Sequence, residues 1–115
     1  EGRLLGTGLV DQACVIGAGR KQPVALVVLS STDGIVDEAM RAELTEICAK
    51  VNRKLESHER LDHLIVCSEA WDIDNDMLTP TLKLKRDKLE HRYNVLLDHP
   101  GLKQTVVWES ELTRN

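Results

Sequence analysis

Val10-Asp11-Gln12-Ala13-Cys14-Val15-Ile16 and Val24-Ala25-Leu26-Val27-Val28-Leu29, separated by Gly17-Ala18-Gly19-Arg20-Lys21-Gln22-Pro23, are the stretch from which the fold is read. Both runs are apolar and rich in β-branched residues, and the segment between them has a turn-forming composition, which predicts two antiparallel strands. After a turn signal at Ser30 to Gly34, the apolar residues Val36, Met40, Leu44, Ile47, Cys48, Val51 and Leu55 recur at intervals of three and four. That spacing predicts an amphipathic helix, and Asp37 and Glu38 suit its first turn electrostatically. Leu61 to Cys67 reads as a third strand, and Ser68 to Met77 as an acidic loop or hairpin. From Arg86 onward, Leu89, Tyr93, Leu96 and Leu97 mark the face of a second helix, with His99-Pro100-Gly101 as its stop. The tail from Leu102 to Asn115 gives no clear assignment. The expected architecture is α+β, a small antiparallel sheet covered by helices, with residues 1–115 forming a single domain. Leu4 and Leu5 fit the end of a helix begun upstream, so the chain reads as cut at its N-terminus.

Composition narrows the function classes. The chain has 115 residues, enough for one modest core. With no Phe, one Tyr and two Trp, that core is filled mainly by Leu, Val and Ile. A charged fraction of 30% with a net charge of −4 is opposite in sign to the footprint of a nucleic-acid binder. The longest apolar run, Pro23 to Leu29, is too short to span a bilayer, and the N-terminus lacks a basic-then-apolar signal pattern. A cytoplasmic protein is expected. Cys14, Cys48 and Cys67 are odd in number and widely spaced, so buried reduced thiols are expected rather than a disulfide framework or a zinc knuckle.

The most unusual local sequence is Leu78-Thr79-Pro80-Thr81-Leu82-Lys83-Leu84-Lys85-Arg86, a Thr/Pro loop leading through three basic residues into a helix. In one reading these are solvated charges at a helix start. Cations there oppose the helix dipole unless an anion compensates them. In the other reading Lys83 sits on a loop held by Pro80 and projects its ammonium at an anion from outside the domain, a phosphate above all. Lysine is suited to that task as a compact point charge with three donors on a flexible stem.

Other constellations are incomplete. Asp72, Asp74 and Asp76 have the first spacings of a calcium loop, but Met77 and Lys83 occupy the positions that need glycine and glutamate. His58 and His63 lack partners at zinc-binding spacing. Gly17-Ala18-Gly19 follows a strand, but no helix opens after it and the third glycine of a dinucleotide fingerprint is missing, so a tight turn is expected. Ser30 and Ser31 have no His/Asp arrangement nearby.

The segment Leu78 to Arg86 resembles the last core motif of AMP-forming acyl-CoA synthetases, in the version typical of the long-chain branch. Asp87 to Tyr93, Leu9 to Ser30 and Val51 to Trp71 are also similar, so the resemblance runs from about Leu9 to Tyr93. It implies the C-terminal lid domain of a ligase whose large N-terminal adenylation domain, the expected partner, binds ATP, Mg²⁺ and the carboxylic acid. That large domain would also carry the phosphate-binding loop and the ribose-holding aspartate. The resemblance implies two half-reactions: formation of an acyl-adenylate with release of pyrophosphate, then displacement of AMP by CoA. The small domain would swing between them, and Lys83 matches the lysine that stabilises charge in the first. Most relatives outside the long-chain branch have glycine just before that lysine, where this chain has Leu82. Lys85 is therefore the alternative bearer of the role, although the register of the Thr/Pro loop favours Lys83. The motif variant leans toward long-chain fatty acids. On this reading the chain alone is inactive. The alternative expectation is a noncatalytic interaction module with the same fold, docking a partner protein or acidic carrier through the basic loop.

Overall fold

The computed structural model describes residues 8, 10–17, 23–29, 38–56, 60–97 and 105–112. The two apolar runs pair as expected: β1 (Val10–Ile16) lies antiparallel to β2 (Val24–Leu29), with Ile16 opposite Val24 and Val10 opposite Leu29. The pairing shifts between Val10 and Gln12. This bulge lets Val10 and Ala13, three residues apart, join the same core. Gly17 leaves β1 with φ +117°, a conformation that glycine adopts at little steric cost, in keeping with the expected turn. Residues 18–22 of that turn, Ser30 to Gly34, Val36, Asp37, His58, Leu4, Leu5 and His99 to Gly101 lie outside the described residues.

The predicted first helix is α1 (Glu38–Arg53), which buries Leu44 and Cys48 and partly buries Met40, Ile47 and Val51. The chain returns as β3 (His63–Val66), inside the expected third strand. The second helix, α2 (Arg86–Leu97), buries all four apolar residues that its spacing singled out. Next come β4 (Val106–Trp108) and the short α3 (Glu109–Leu112). The sheet order is β1-β2-β3-β4.

The α+β class and the covering helices are as expected, but the strand directions correct the prediction of an antiparallel sheet. Only β1 and β2 are antiparallel; β2–β3 and β3–β4 are parallel. Each parallel pair is joined through a helix that carries the chain back to the end from which it started, the geometry that parallel pairing demands. Within the tail, residues 106–112 form β4 and α3, for which the sequence offers no clear assignment. Val106-Val107-Trp108 is too short to show a period, yet all three residues are buried.

Alternation along the strands divides the interior into two cores. Val24, Leu26 and Val28 of β2 face the core closed by α2, while Ala25, Val27 and Leu29 face the core closed by α1. A strand buried on both faces reads as an unbroken apolar run. The charge of Arg41, only 8% exposed, closes the α1 side. Its Nη1 donates to the Val106 carbonyl (2.7 Å), Nη2 to Glu111 (2.7 Å) and Nε to Glu38 (2.9 Å). The guanidinium also lies 5.1 Å from the Trp108 ring centroid. Hydrogen bonds donated to Glu111 and then to Glu38 raise the Arg41 pKa against the opposing effect of burial, so the group stays charged. Glu111 also accepts the Trp108 N–H at the start of α3 (3.0 Å), as in a capping box.

Arg41→Met should cost about 2–4 kcal/mol, mainly by removing the charged hydrogen bonds to the buried Val106 carbonyl and the half-buried Glu111, and Trp108→Ala about 3–5 kcal/mol by emptying its core site. Val95→Ala, at a position 74% exposed, should stay within about 0.5 kcal/mol of the parent. Urea unfolding midpoints check all three.

Candidate functional site

The basic motif forms a small hairpin whose two feet reach the core and whose tip stands in solvent. Met77 and Leu78 are buried, Leu84 packs against the same core, and Leu78 and Leu84 form an antiparallel bridge. Above the bridge, the Thr79 N–H donates to the Lys83 carbonyl (2.8 Å) and the Leu82 N–H donates to the Thr79 carbonyl (2.8 Å). Pro80, Thr81 and Leu82 are the loop. Pro80 has the fixed φ suited to the first turn position, and Leu82 is left-handed at φ +66°, as the last residue of a three-residue hairpin loop commonly is. The Thr79 hydroxyl oxygen accepts from the Lys83 N–H (3.1 Å) and lies 3.0 Å from the Thr81 hydroxyl. The backbone at Lys83 is therefore fixed from both sides.

The loop leading into the hairpin is fastened to β1 and α2. Gln12 forms a two-way amide clamp with the backbone of Trp71, 2.8 Å in each direction. The Trp71 indole donates to the Tyr93 hydroxyl (3.2 Å), and burial pushes the Tyr93 pKa upward. Asp72 and Asn75 close a turn by reciprocal side chain to backbone bonds of 2.7 and 3.0 Å. The acidic residues that resemble a calcium loop thus include members that organise this turn.

The three basic residues of the motif have separate fates. Lys85 is ion-paired with Asp76, whose other oxygen lies 3.3 Å from the Lys88 ammonium. Arg86 donates to the Val15 carbonyl at 2.7 Å. Lys83 is exposed, and among the described residues its ammonium has no partner. The Lys85 carbonyl caps α2 by accepting from the N–H groups of Lys88 and Leu89. The anion expected to compensate cations at this helix start is therefore internal: it is Asp76. Hydrogen bonds from Lys85 and then Lys88 hold its carboxyl below the ordinary aspartate range. Nothing in the sequence points to Asp76 as the partner of Lys85, because the two lie nine residues apart, outside any helical spacing.

A separate cleft of about 300 Å³ is lined by Asp87, Glu90, His91 and Asn94 among others, and Lys83 is not part of it. Its two carboxylates have the wrong sign for phosphate. Cys14, Cys48 and Cys67 are buried and not joined in disulfides, and burial raises the pKa of the Cys48 and Cys67 thiols. No helix among the described residues is long and apolar enough to cross a membrane.

Residues 1–99 match the model of the AMP-binding enzyme C-terminal domain, and the chain belongs to that family. It is 26% identical over 102 residues to probable acyl-activating enzyme 16, chloroplastic, of Arabidopsis thaliana, a match covering 76% of this chain and 14% of that protein. It is 38% identical over 53 residues to fatty acyl-CoA synthetase A of Dictyostelium discoideum, covering 46% of this chain and 8% of that protein. Among solved structures, it resembles the A-PCP didomain of carboxylic acid reductase from Segniliparus rugosus in complex with AMP. That match has TM-score 0.69 and 27% identity, over 85% of this chain and 14% of the other. The adenylation domain of the carboxylate reductase from Mycobacterium chelonae shares the fold at TM-score 0.71 and 24% identity, over 85% and 16% respectively. The chain thus spans a small fraction of the length of these relatives. β4 and α3 lie beyond the residues matched by the family model.

The Asp76 contribution to stability depends on pH with a definite sign. Because its folded pKa is depressed, the contribution is present above the ordinary value of 3.8 and disappears as the pH falls through the lowered value. Asp76→Asn should lower the melting temperature at pH 7, and the gap from the parent should close in acid, as read from thermal unfolding at a series of pH values.

Proposed function

We propose that this chain is the swinging C-terminal domain of an ATP-dependent acid–CoA ligase and that Lys83 is its adenylation lysine. The observation that carries this reading is the division of labour in the basic motif. Lys85 and Arg86 bind within the domain, while Lys83 extends from a braced hairpin with its ammonium unengaged among the described residues. This also favours Lys83 over Lys85.

In the first half-reaction an oxygen of the substrate carboxylate attacks the α-phosphorus of ATP. A P–O bond forms, the bond to the leaving pyrophosphate breaks, and acyl-adenylate results. Negative charge builds up between carboxylate and α-phosphate, and an ammonium placed there only on closure stabilises the transition state more than the ground state. In the second half-reaction the CoA thiolate attacks the acyl carbon and AMP leaves, with the domain rotated and Lys83 withdrawn. The larger N-terminal adenylation domain supplies the sites for ATP, Mg²⁺ and acid. Among the described residues of this chain there is no group of three His, Cys, Asp or Glu able to hold a metal ion. The similarity to a fatty acyl-CoA synthetase supports a fatty acid as substrate and CoA as acceptor. A cytosolic setting fits three free, buried thiols.

The likeness to an A-PCP didomain supports a second reading, in which a carrier domain rather than CoA receives the acyl group. Acyl-adenylate-dependent release of AMP on adding free CoA distinguishes the two.

In the intact enzyme, Lys83→Ala should lower carboxylate-dependent ATP–pyrophosphate exchange about 10²–10³-fold. Thioester formation from presynthesised acyl-adenylate should be nearly unchanged. Lys85→Ala loosens the hairpin and should cost less in exchange than Lys83→Ala; a larger cost would transfer the role to Lys85. The 115-residue chain alone should support no exchange.

A further inference from the structure

Leu82 combines two unfavourable features at one position. Its backbone is left-handed, at φ +66°, where a side chain with a Cβ is strained and glycine is not. Its side chain is also 67% exposed, a large apolar group held in water at the tip of the hairpin. Either feature alone is ordinary. Ile73 and Val95 are exposed as well, and single apolar side chains on a surface need no explanation. Neither of those residues has a positive φ among the described residues, and neither adjoins the basic motif.

The strain at Leu82 is imposed by its surroundings. The Leu82 N–H is fixed to the Thr79 carbonyl, and Lys83 is fixed to Thr79 through both its N–H and its carbonyl. The hairpin feet are buried through Met77 and Leu78. Strain that is over-determined in this way gathers at ligand clamps and working surfaces. The feature therefore lies one peptide unit from Lys83, on an arm whose backbone is held by Thr79.

We infer that Leu82 is a docking and positioning residue. When the two domains close for adenylation, its side chain seats in an apolar recess of the larger adenylation domain and so fixes where the Lys83 ammonium arrives. The inference rests on the proposed role of Lys83. The partner follows from family membership: this is the C-terminal domain of AMP-binding enzymes, and it spans 14% of a relative's length, with the remainder available to form the opposing wall. The Cα atoms of Leu82 and Lys83 are about 3.8 Å apart across their peptide bond. Seating one therefore leaves only the lysine stem to find the phosphate, which reduces the orientational freedom lost in reaching the transition state. The hydroxyls of Thr79 and Thr81 and the ammonium of Lys83 provide the polar rim around this apolar contact.

The test uses the intact enzyme with Leu82→Gly, Leu82→Asn and Leu82→Met, beside Lys83→Ala. Glycine relaxes the backbone, asparagine tolerates the left-handed region while removing apolar surface, and methionine retains that surface. Leu82→Gly and Leu82→Asn should unfold at the parent midpoint or above it. They should lower kcat/KM for ATP–pyrophosphate exchange by about 10-fold or more, within the range that small misplacements of reacting groups produce. Thioester formation from presynthesised acyl-adenylate should stay within about two-fold, and Leu82→Met should recover most of the exchange. If Lys83→Ala abolishes exchange while Leu82→Gly and Leu82→Asn exchange at the parent rate, the docking role is overturned and the adenylation lysine stands. If both half-reactions fall together in those two variants, a role specific to adenylation closure is overturned. If Lys83→Ala exchanges normally, the reading on which the inference rests is overturned.

Discussion

Burial of β2 on both faces is the constraint from which the rest of the structure follows. All six of its side chains are withdrawn from water, and the strand hydrogen-bonds to β1 on one side and β3 on the other. One helix can cover only one face of such a strand, so the chain must supply two. α1 closes over Ala25, Val27 and Leu29, and α2 over Val24, Leu26 and Val28. The strand–helix–strand route that places them also makes β2, β3 and β4 parallel. Seating α2 through Leu89 and Tyr93 then fixes the helix start, and with it the feet of the hairpin that carries Lys83. The hairpin is braced at its base, which belongs to the α2-side core.

Apolar spacing of three and four residues made α1 and α2 legible in the sequence, because each buries one stripe, whereas β1, β2 and β3 stood out as short apolar runs rich in β-branched residues. Strand direction was less legible. Pairing preference is not written in the strand itself, although the helical segment between Leu29 and His63 does imply a crossover. β4 was hidden because three residues cannot show a period, and its burial depends on the remote Arg41, which stacks on Trp108 and bonds to Val106 and Glu111. At the candidate site the motif pointed to Lys83, while its supports were invisible. The Gln12–Trp71 clamp spans 59 residues, and Asp76, which shares a metal-like spacing with Asp72 and Asp74, places its carboxylate against Lys85 and Lys88.

Within the basic motif, position decides which cations are engaged inside the domain. Lys85 and Arg86 lie at the base of the hairpin, within reach of Asp76 and the Val15 carbonyl, and spend their charge on holding it in place. Lys83 lies above the bridge between Leu78 and Leu84, beyond any carboxylate among the described residues. An unengaged ammonium on a braced arm suits a reaction in which the charge must be present for one step and withdrawn for the next. The proposed docking of the exposed, left-handed Leu82 beside it extends the same logic to a contact that would align the arm.

Amine labelling of the intact enzyme, read by mass spectrometry with and without ATP and a carboxylic acid, tests the central claim most directly. Lys83 should label readily in the free enzyme and become protected when both substrates are bound, while Lys85 and Lys88 change little. Protection of Lys85 in its place, or equal labelling of Lys83 in both states, would contradict the assignment of Lys83 as the ammonium delivered to the nucleotide.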